Sequence, residues 1–255
     1  MTRATLVLVL LGSVVSAADF KEFKRTVPME GNGRFSLDTY KGSIRISAWD
    51  QPQVDIQARI VADPSGWFPE PVEDVEIRVD SSGGSVQVKT EYRREHWSLV
   101  EGNSPSVNYT IRVPRHASLS IKDYKSETDI SEVQGAVEFD TYKGTARLAG
   151  LRGGLDLKTY KGDIRASFAS FSARSHVDTY KGAIDLTVPR ASAFEMHAEL
   201  ERHASLDCDF PRTLRSDGGR DRRQDRHQEM RSTVNGGGPE LRITSYRGSI
   251  RLRAS

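Results

Sequence analysis

Apolar and polar residues alternate along most of this chain. Val137, Phe139, Ala146 and Leu148 fall on one side of the pattern, with Glu138, Asp140 and Arg147 between them. The same spacing returns at Leu155, Leu157 and Ile164, at Val177, Ile184 and Leu186, and at Phe35, Leu37, Ile44 and Ile46. A period of two marks strands with one buried face. Segments 54–60, 75–79, 86–90 and 107–113 alternate as well, and Leu241, Ile243, Ile250 and Leu252 close the chain in the same way. No long window carries a helical period; only 194–206 leaves room for a short turn. The pattern predicts an all-β protein.

A short phrase punctuates these strands. It reads Thr39-Tyr40-Lys41-Gly42, Thr141-Tyr142-Lys143-Gly144, Thr159-Tyr160-Lys161-Gly162 and Thr179-Tyr180-Lys181-Gly182, with two degenerate copies, Asp123-Tyr124-Lys125-Ser126 and Ser245-Tyr246-Arg247-Gly248. Tyr124, Tyr142, Tyr160 and Tyr180 are spaced by 18, 18 and 20 residues, which is a coil length. The phrase lies between two strands, where glycine permits the positive φ of a tight corner.

Two architectures satisfy it. In an antiparallel β-sandwich of hairpins, Lys-Gly is a two-residue turn that pairs Tyr40 with Ser43 and Asp38 with Arg45. In a single-stranded, right-handed β-helix or solenoid it is a corner, and each coil of 18–20 residues stacks in parallel on the next. The constant period favours the solenoid. One coil offers four or five inward aliphatics, each contributing roughly 1.5–3 kcal/mol on burial, against about 1–2 kcal/mol for every residue ordered. A coil is therefore unstable alone. Stacking also predicts columns of equivalent residues about 4.8 Å apart. Two positions before the tyrosine the column reads Lys122, Asp140, Lys158 and Asp178, with signs that alternate; five after it reads Asp129, Arg147, Arg165 and Asp185, which is mixed.

The ends set the compartment and the partition of the chain. Arg3, an apolar run at 6–11 and small residues at 16–18 make residues 1–17 a secretory signal peptide. No cysteine stands at that junction, so a lipoprotein is not expected, and no later segment is apolar enough to cross a membrane as a helix. Residues 18–113 form an N-terminal β section with long loops bearing Trp67 and Trp97. Residues 114–255 hold the regular coils, with a mobile charged insertion at 212–231. The formal net charge of +2 over 255 residues and the export signal speak against nucleic acid as a partner. Cys208 is the only cysteine, so no intramolecular disulfide forms.

Against this pattern, Gly162-Asp163-Ile164 and its variants Gly42-Ser43-Ile44, Gly182-Ala183-Ile184 and Gly248-Ser249-Ile250 carry a resemblance. So do Val234-Asn235-Gly236-Gly237-Gly238 before the last strands and the strand-then-proline steps Ile111-Arg112-Val113-Pro114 and Leu186-Thr187-Val188-Pro189. The chain resembles the bacterial adhesin-like domains of unknown function, the head-GIN and toast-rack β-solenoids, from about residue 30 onward. The resemblance implies a repeated strand fold and an adhesion role that rests on fold rather than on a site. It departs in one respect: Tyr-Lys stands where relatives carry small polar residues before the glycine.

That departure singles out the candidate site. Stacked coils would align Tyr124, Tyr142, Tyr160 and Tyr180 into an aromatic ladder beside Lys125, Lys143, Lys161 and Lys181. Flat phenolic rings suit sugars, and a row of ammonium groups suits an anionic glycan or another envelope polymer. The structural alternative is that the tyrosines stabilise the corner by stacking. No catalytic residues, metal ligands or cofactor are predicted. His96, His116, His176, His197, His203 and His227 lack metal-ligand spacing, and no nucleotide-binding or nucleophile motif is present; because parallel β-solenoids also host polysaccharide-cleaving enzymes, that activity stays as the third reading, although no converging pair of carboxylates can be nominated for it. The sequence thus reads as an exported, non-catalytic, adhesin-like module of the periplasm or cell surface. Its predicted partner is an anionic glycan or envelope polymer, or an envelope protein for which it is a scaffold.

Overall fold

The computed structural model describes residues 20–63, 71–93, 104–201, 203–211 and 227–255. The expected signal peptide, Trp67, Trp97 and residues 212–226 of the charged insertion lie outside them. In chain order the strands are β1 (Phe20–Pro28), β2 (Arg34–Trp49), β3 (Gln53–Val61), β4 (Val75–Ser82), β5 (Ser85–Tyr92), β6 (Ser106–Pro114) and β7 (Ser118–Ser131). They continue with β8 (Val137–Thr141), β9 (Thr145–Leu151), β10 (Leu155–Lys161), β11 (Ile164–Phe168), β12 (Ser175–Lys181), β13 (Ala183–Val188), β14 (Phe194–Glu201), β15 (Ser205–Cys208), β16 (His227–Val234), β17 (Glu240–Ser245) and β18 (Ser249–Ala254).

Alternation builds the coils. β8–β9, β10–β11 and β12–β13 each make one coil of two strands with a corner between them, and β2 and β7 run through the same corner as single long strands. Equivalent strands pair in parallel. Leu157 lies between Phe139 and Val177, and Ile164 between Ala146 and Ile184. These side chains point inward and are buried, as are Phe35, Leu37, Ile44 and Ile46. The pairing is that of a β-solenoid. Tyr40 does not fold back on Ser43: Gly42, Ser43 and Ile44 instead pair in parallel with Ser126, Glu127 and Thr128 of β7.

Stacking order departs from chain order at both ends. Phe35 of β2 pairs with Val86 of β5 on one side and Leu119 of β7 on the other, so β2 is an interior rung of the stack. At the far end Ile250 of β18 lies between Ile184 of β13 and Leu206 of β15. In each case a coil remote in sequence is inserted beneath the outermost one. Antiparallel strands then cover the ends: β4 on β5, β3 on β6 with β1 on β3, and β16 on β14. Among the described residues, antiparallel pairs occur only there, where an open parallel edge would otherwise expose its backbone groups.

Two segments differ from the sequence expectation. The stretch beginning at Phe194 is strand β14, with Phe194, Met196, Ala198 and Leu200 buried in strict alternation, and the short turn follows it, where the Ala204 N–H donates to the Glu201 carbonyl at 2.9 Å. Residues 227–231, expected within the mobile insertion, open strand β16. Their charges hide the strand pattern because they are outward partners of β14: Glu229 accepts a hydrogen bond from His197 at 2.9 Å, as the tautomer with the proton on Nε2, and pairs with Arg231 at 2.6 Å.

Candidate functional site

Two of the corners are closed by their own sequence. The Thr141 Oγ1 accepts the Gly144 N–H at 2.9 Å, and Ser245 Oγ accepts the Gly248 N–H at 3.1 Å, so the first residue of the phrase closes on the fourth. Glycine is required by closeness to the next rung. At Gly42, with φ of 134°, a Cβ would meet the Val107 carbonyl oxygen at 2.1 Å; at Gly182, with φ of 145°, it would meet that of Gly162 at 2.0 Å.

Parallel register on both sides of the corners aligns the tyrosines. Tyr124 stacks on Tyr142 at 4.9 Å between centroids and 14° between planes, Tyr142 on Tyr160 at 4.6 Å and 6°, and Tyr160 on Tyr180 at 4.7 Å and 4°. The inserted coils lengthen the column at both ends. Tyr40 stacks on Tyr124 at 5.0 Å and 12°, and Tyr246 on Tyr180 at 4.8 Å and 9°. Tyr92 then closes the Tyr40 end edge-on, at 5.8 Å and 74°. All four tyrosines singled out in the sequence are therefore brought together, and two more join them. The sequence signal for Tyr40 and Tyr246 was present in their copies of the phrase, but consecutive coil spacing gave no reason to put them in the same column.

Stacking has a chemical consequence. Each interior ring has both faces covered by its neighbours, so the column offers ring edges and phenolic hydroxyls, not open π faces. Tyr160 is 44% exposed and Tyr142 38%, by their outer rims.

The cations follow the same register. Lys41 pairs in register with Lys125, and Lys161 with Lys181; the Lys143 N–H donates to the Tyr124 carbonyl and the Arg247 N–H to that of Tyr180. Lys41 is bound to Asp63 at 2.8 Å. Lys143 leans over the rings of Tyr124 and Tyr142, at 5.6 and 5.4 Å from their centroids, and the Arg247 guanidinium lies 5.5 Å from that of Tyr246. Lys125, Lys161 and Lys181 are exposed and, among the described residues, have no carboxylate within ion-pair distance.

On the other flank of the tyrosines runs an open groove of about 560 Å³. Its far wall is the alternating column, now Asp38, Lys122, Asp140, Lys158 and Asp178, and its floor is a column of buried hydroxyls, Thr39, Thr141 and Thr159. One rung breaks the floor. Asp123 stands at the threonine position, 8% exposed, and neither carboxylate oxygen has a hydrogen-bond partner of good geometry. Burial pushes its carboxyl above the usual carboxylate range; the nearby hydroxyls of Thr141 and Ser126 oppose this, and Asp140 reinforces it. Among the described residues no group of three or more His, Cys, Asp or Glu is placed to hold a metal ion, and no helix is long and apolar enough to cross a membrane.

Parallel coils, a shared corner and one continuous side-chain column define a repeat protein of the β-solenoid class. The family model of the Toastrack domains, DUF4097, matches residues 71–226, more than half of the chain, and the chain belongs to that family. No curated protein matches it. A solved structure of a candidate cell adhesion protein from Clostridium sporogenes is similar at 9% identity, with a TM-score of 0.49, over 92% of this chain and 100% of that one. A candidate adhesin from Bacteroides fragilis aligns at 11% identity with a TM-score of 0.28, covering 92% of this chain and 97% of its own. A candidate lipid-binding protein from Parabacteroides distasonis aligns at 9% identity and 0.26, over 91% and 96% respectively.

Proposed function

We propose that this protein is an exported, non-catalytic binding module of the cell envelope that holds an anionic glycan along its tyrosine–lysine column. The observation that carries the proposal is the unpaired cationic row. Lys161 and Lys181 stand one rung apart, about 4.8 Å, and Lys125 stands two rungs from Lys161 with Lys143 between them; among the described residues none of Lys125, Lys161 and Lys181 has a carboxylate to neutralise it, and all lie beside tyrosine hydroxyls in the same register. Like charges so close repel by only about 1 kcal/mol per pair in water, a cost that an extended polyanion lying along the axis would turn into attraction. With ring faces covered, recognition is by hydrogen bonds to the phenolic edge and by ionic contacts, so neutral sugars that need an open aromatic face are poor ligands. Export is supported by the leader-like residues 1–17, and the non-catalytic reading by the use of the column's residues in stacking rather than in convergent acid–base pairs.

The test is binding of the protein to immobilised polygalacturonate and to neutral dextran, as wild type and as Lys143→Glu/Lys161→Glu. The expected result is salt-sensitive capture by polygalacturonate alone, weakened about tenfold or more by the double variant, as neutralised phosphate contacts are in other polyanion complexes. Equal capture by dextran, or a double variant that binds as wild type does, overturns the proposal.

A further inference from the structure

The groove wall holds a second pattern that the lysine row does not use. From β5 to β12 the outward residues follow the register Lys89, Asp38, Lys122, Asp140, Lys158, Asp178, with signs that alternate at every rung. Adjacent opposite charges would be expected to close on one another, and they do not. Lys89 pairs with Glu91 and Lys158 with Asp156, each on its own strand, and among the described residues no ion pair within 4.0 Å joins two neighbours in the column.

An alternating row with an even number of members is its own complement when reversed. A two-fold axis running along the strands, between the rungs of Lys122 and Asp140, sets Lys122 opposite Asp140, Asp38 opposite Lys158 and Lys89 opposite Asp178. A two-fold axis along the solenoid instead sets each rung against itself, like charge on like. The column therefore selects one isologous arrangement and rejects the other. Next to it stand Tyr142, Tyr160, Tyr180 and Tyr246, four of the five exposed large hydrophobic residues in the described chain. Tyrosine beside charge is the composition of a protein interface.

We propose that this face is a self-association surface, on which a second copy of the chain docks antiparallel with its charge column in complementary register. Six rungs of about 4.8 Å and a few residues of strand give a patch on the order of 400 Å² per partner, about half that of a standard stable interface. The dimer is therefore weak and salt-sensitive. The lysine row lies beyond the tyrosines and outside the charge seam, so the proposal does not rest on glycan binding.

Sedimentation velocity on the full chain, at high protein concentration in low and high salt, tests it with two variants. One makes the column all acidic, Lys89→Glu/Lys122→Glu/Lys158→Glu; the other makes it all basic, Asp38→Lys/Asp140→Lys/Asp178→Lys. Wild type is expected to dimerise in low salt. Each variant alone should associate about tenfold more weakly or worse, since like charges then face one another across the seam, and an equimolar mixture should restore a one-to-one dimer. A wild type that stays monomeric at low salt overturns the proposal without reference to any variant. So does a dimer that survives in the all-acidic chain, or a mixture of folded variants, checked by circular dichroism, that stays monomeric.

Discussion

The ring of Tyr246 lies against that of Tyr180 at 4.8 Å and 9°, although β14, β15 and β16 come between them in the chain. This contact exists because β17 and β18 enter beneath the outermost coil and not on top of it. Leu241, Ile243, Ile250 and Leu252 are all buried there. Each contributes roughly 1.5–3 kcal/mol, a large part of the about 5–15 kcal/mol that stabilises a domain. Deleting residues 240–255 should therefore abolish cooperative unfolding, because it exposes the facing edges of β12–β13 and β14–β15 together. The matched deletion of residues 20–28 removes β1, which pairs only with β3, and should lower the melting temperature while leaving the transition cooperative. Circular dichroism melts of the two truncations check this.

Among the described residues, Tyr160 is stacked on both faces and Tyr246 on one. An aromatic pair adds about 0.5–1.5 kcal/mol beyond its buried area. Tyr160→Ala should therefore lower stability by about 1–3 kcal/mol and Tyr246→Ala by about half of that, while Tyr160→Phe keeps the stack and costs little. Urea midpoints at constant slope measure the difference; equal losses at the two positions would show that ring stacking does not hold the column together.

The coil was legible because one phrase recurs with every corner. Glycine at the close approach, a hydroxyl before the tyrosine and period-two alternation are local requirements, and local requirements leave a mark on the sequence. Insertion of β2 and of β17–β18 left none, since parallel registers such as Ile44 against Tyr109 or Ile184 against Ile250 depend on which aliphatic row meets which. Those rows are nearly interchangeable. The hidden strand β16 failed for a related reason: its outward face is charged, but the partners of Glu229 and Arg231 lie on β14 or on the strand itself, where a sequence pattern does not show them. Proposed recognition by open aromatic faces also changes on stacking, which leaves only the phenolic edges exposed.

Corner glycines should be intolerant in proportion to their closeness to the next rung. Gly182→Ala imposes a φ of 145° on an L residue and drives its Cβ to 2.0 Å from the Gly162 carbonyl oxygen. Backbone strain alone costs about 1–3 kcal/mol, and the clash adds to it. Gly31→Ala meets nothing within 4 Å and serves as the neutral control. Thermal unfolding of both should separate them by several degrees, on the scale of roughly 2–4 °C for each kcal/mol in a chain of this size.

Asp123 makes a prediction whose sign depends on pH. Burial raises its carboxyl above the ordinary value in the folded state, whereas the unfolded chain restores a value of about 3.9. The folded state thus keeps the proton to higher pH than the unfolded state does. Its favourable contribution is complete below the unfolded pKa and is lost as pH rises through the folded one. Replacing it by the residue of the other rungs, Asp123→Thr, should stabilise the protein at neutral pH by on the order of 1–3 kcal/mol, because a neutral hydroxyl takes the place of a carboxylate whose charged form burial disfavours. That gain should shrink as the pH is lowered, because the wild-type carboxyl takes up its proton earlier in the fold than in the unfolded chain. Other carboxylates respond in the opposite sense: Asp50 and Asp209, held below the usual range by Arg115 and by the Ala254 N–H with Arg253, destabilise the fold as they protonate. Only the difference between variant and wild type isolates Asp123. Denaturant unfolding of both chains across pH 4–8 measures it, and a gain that is flat or that grows towards acid pH would mean that Asp123 is ionised in the folded protein.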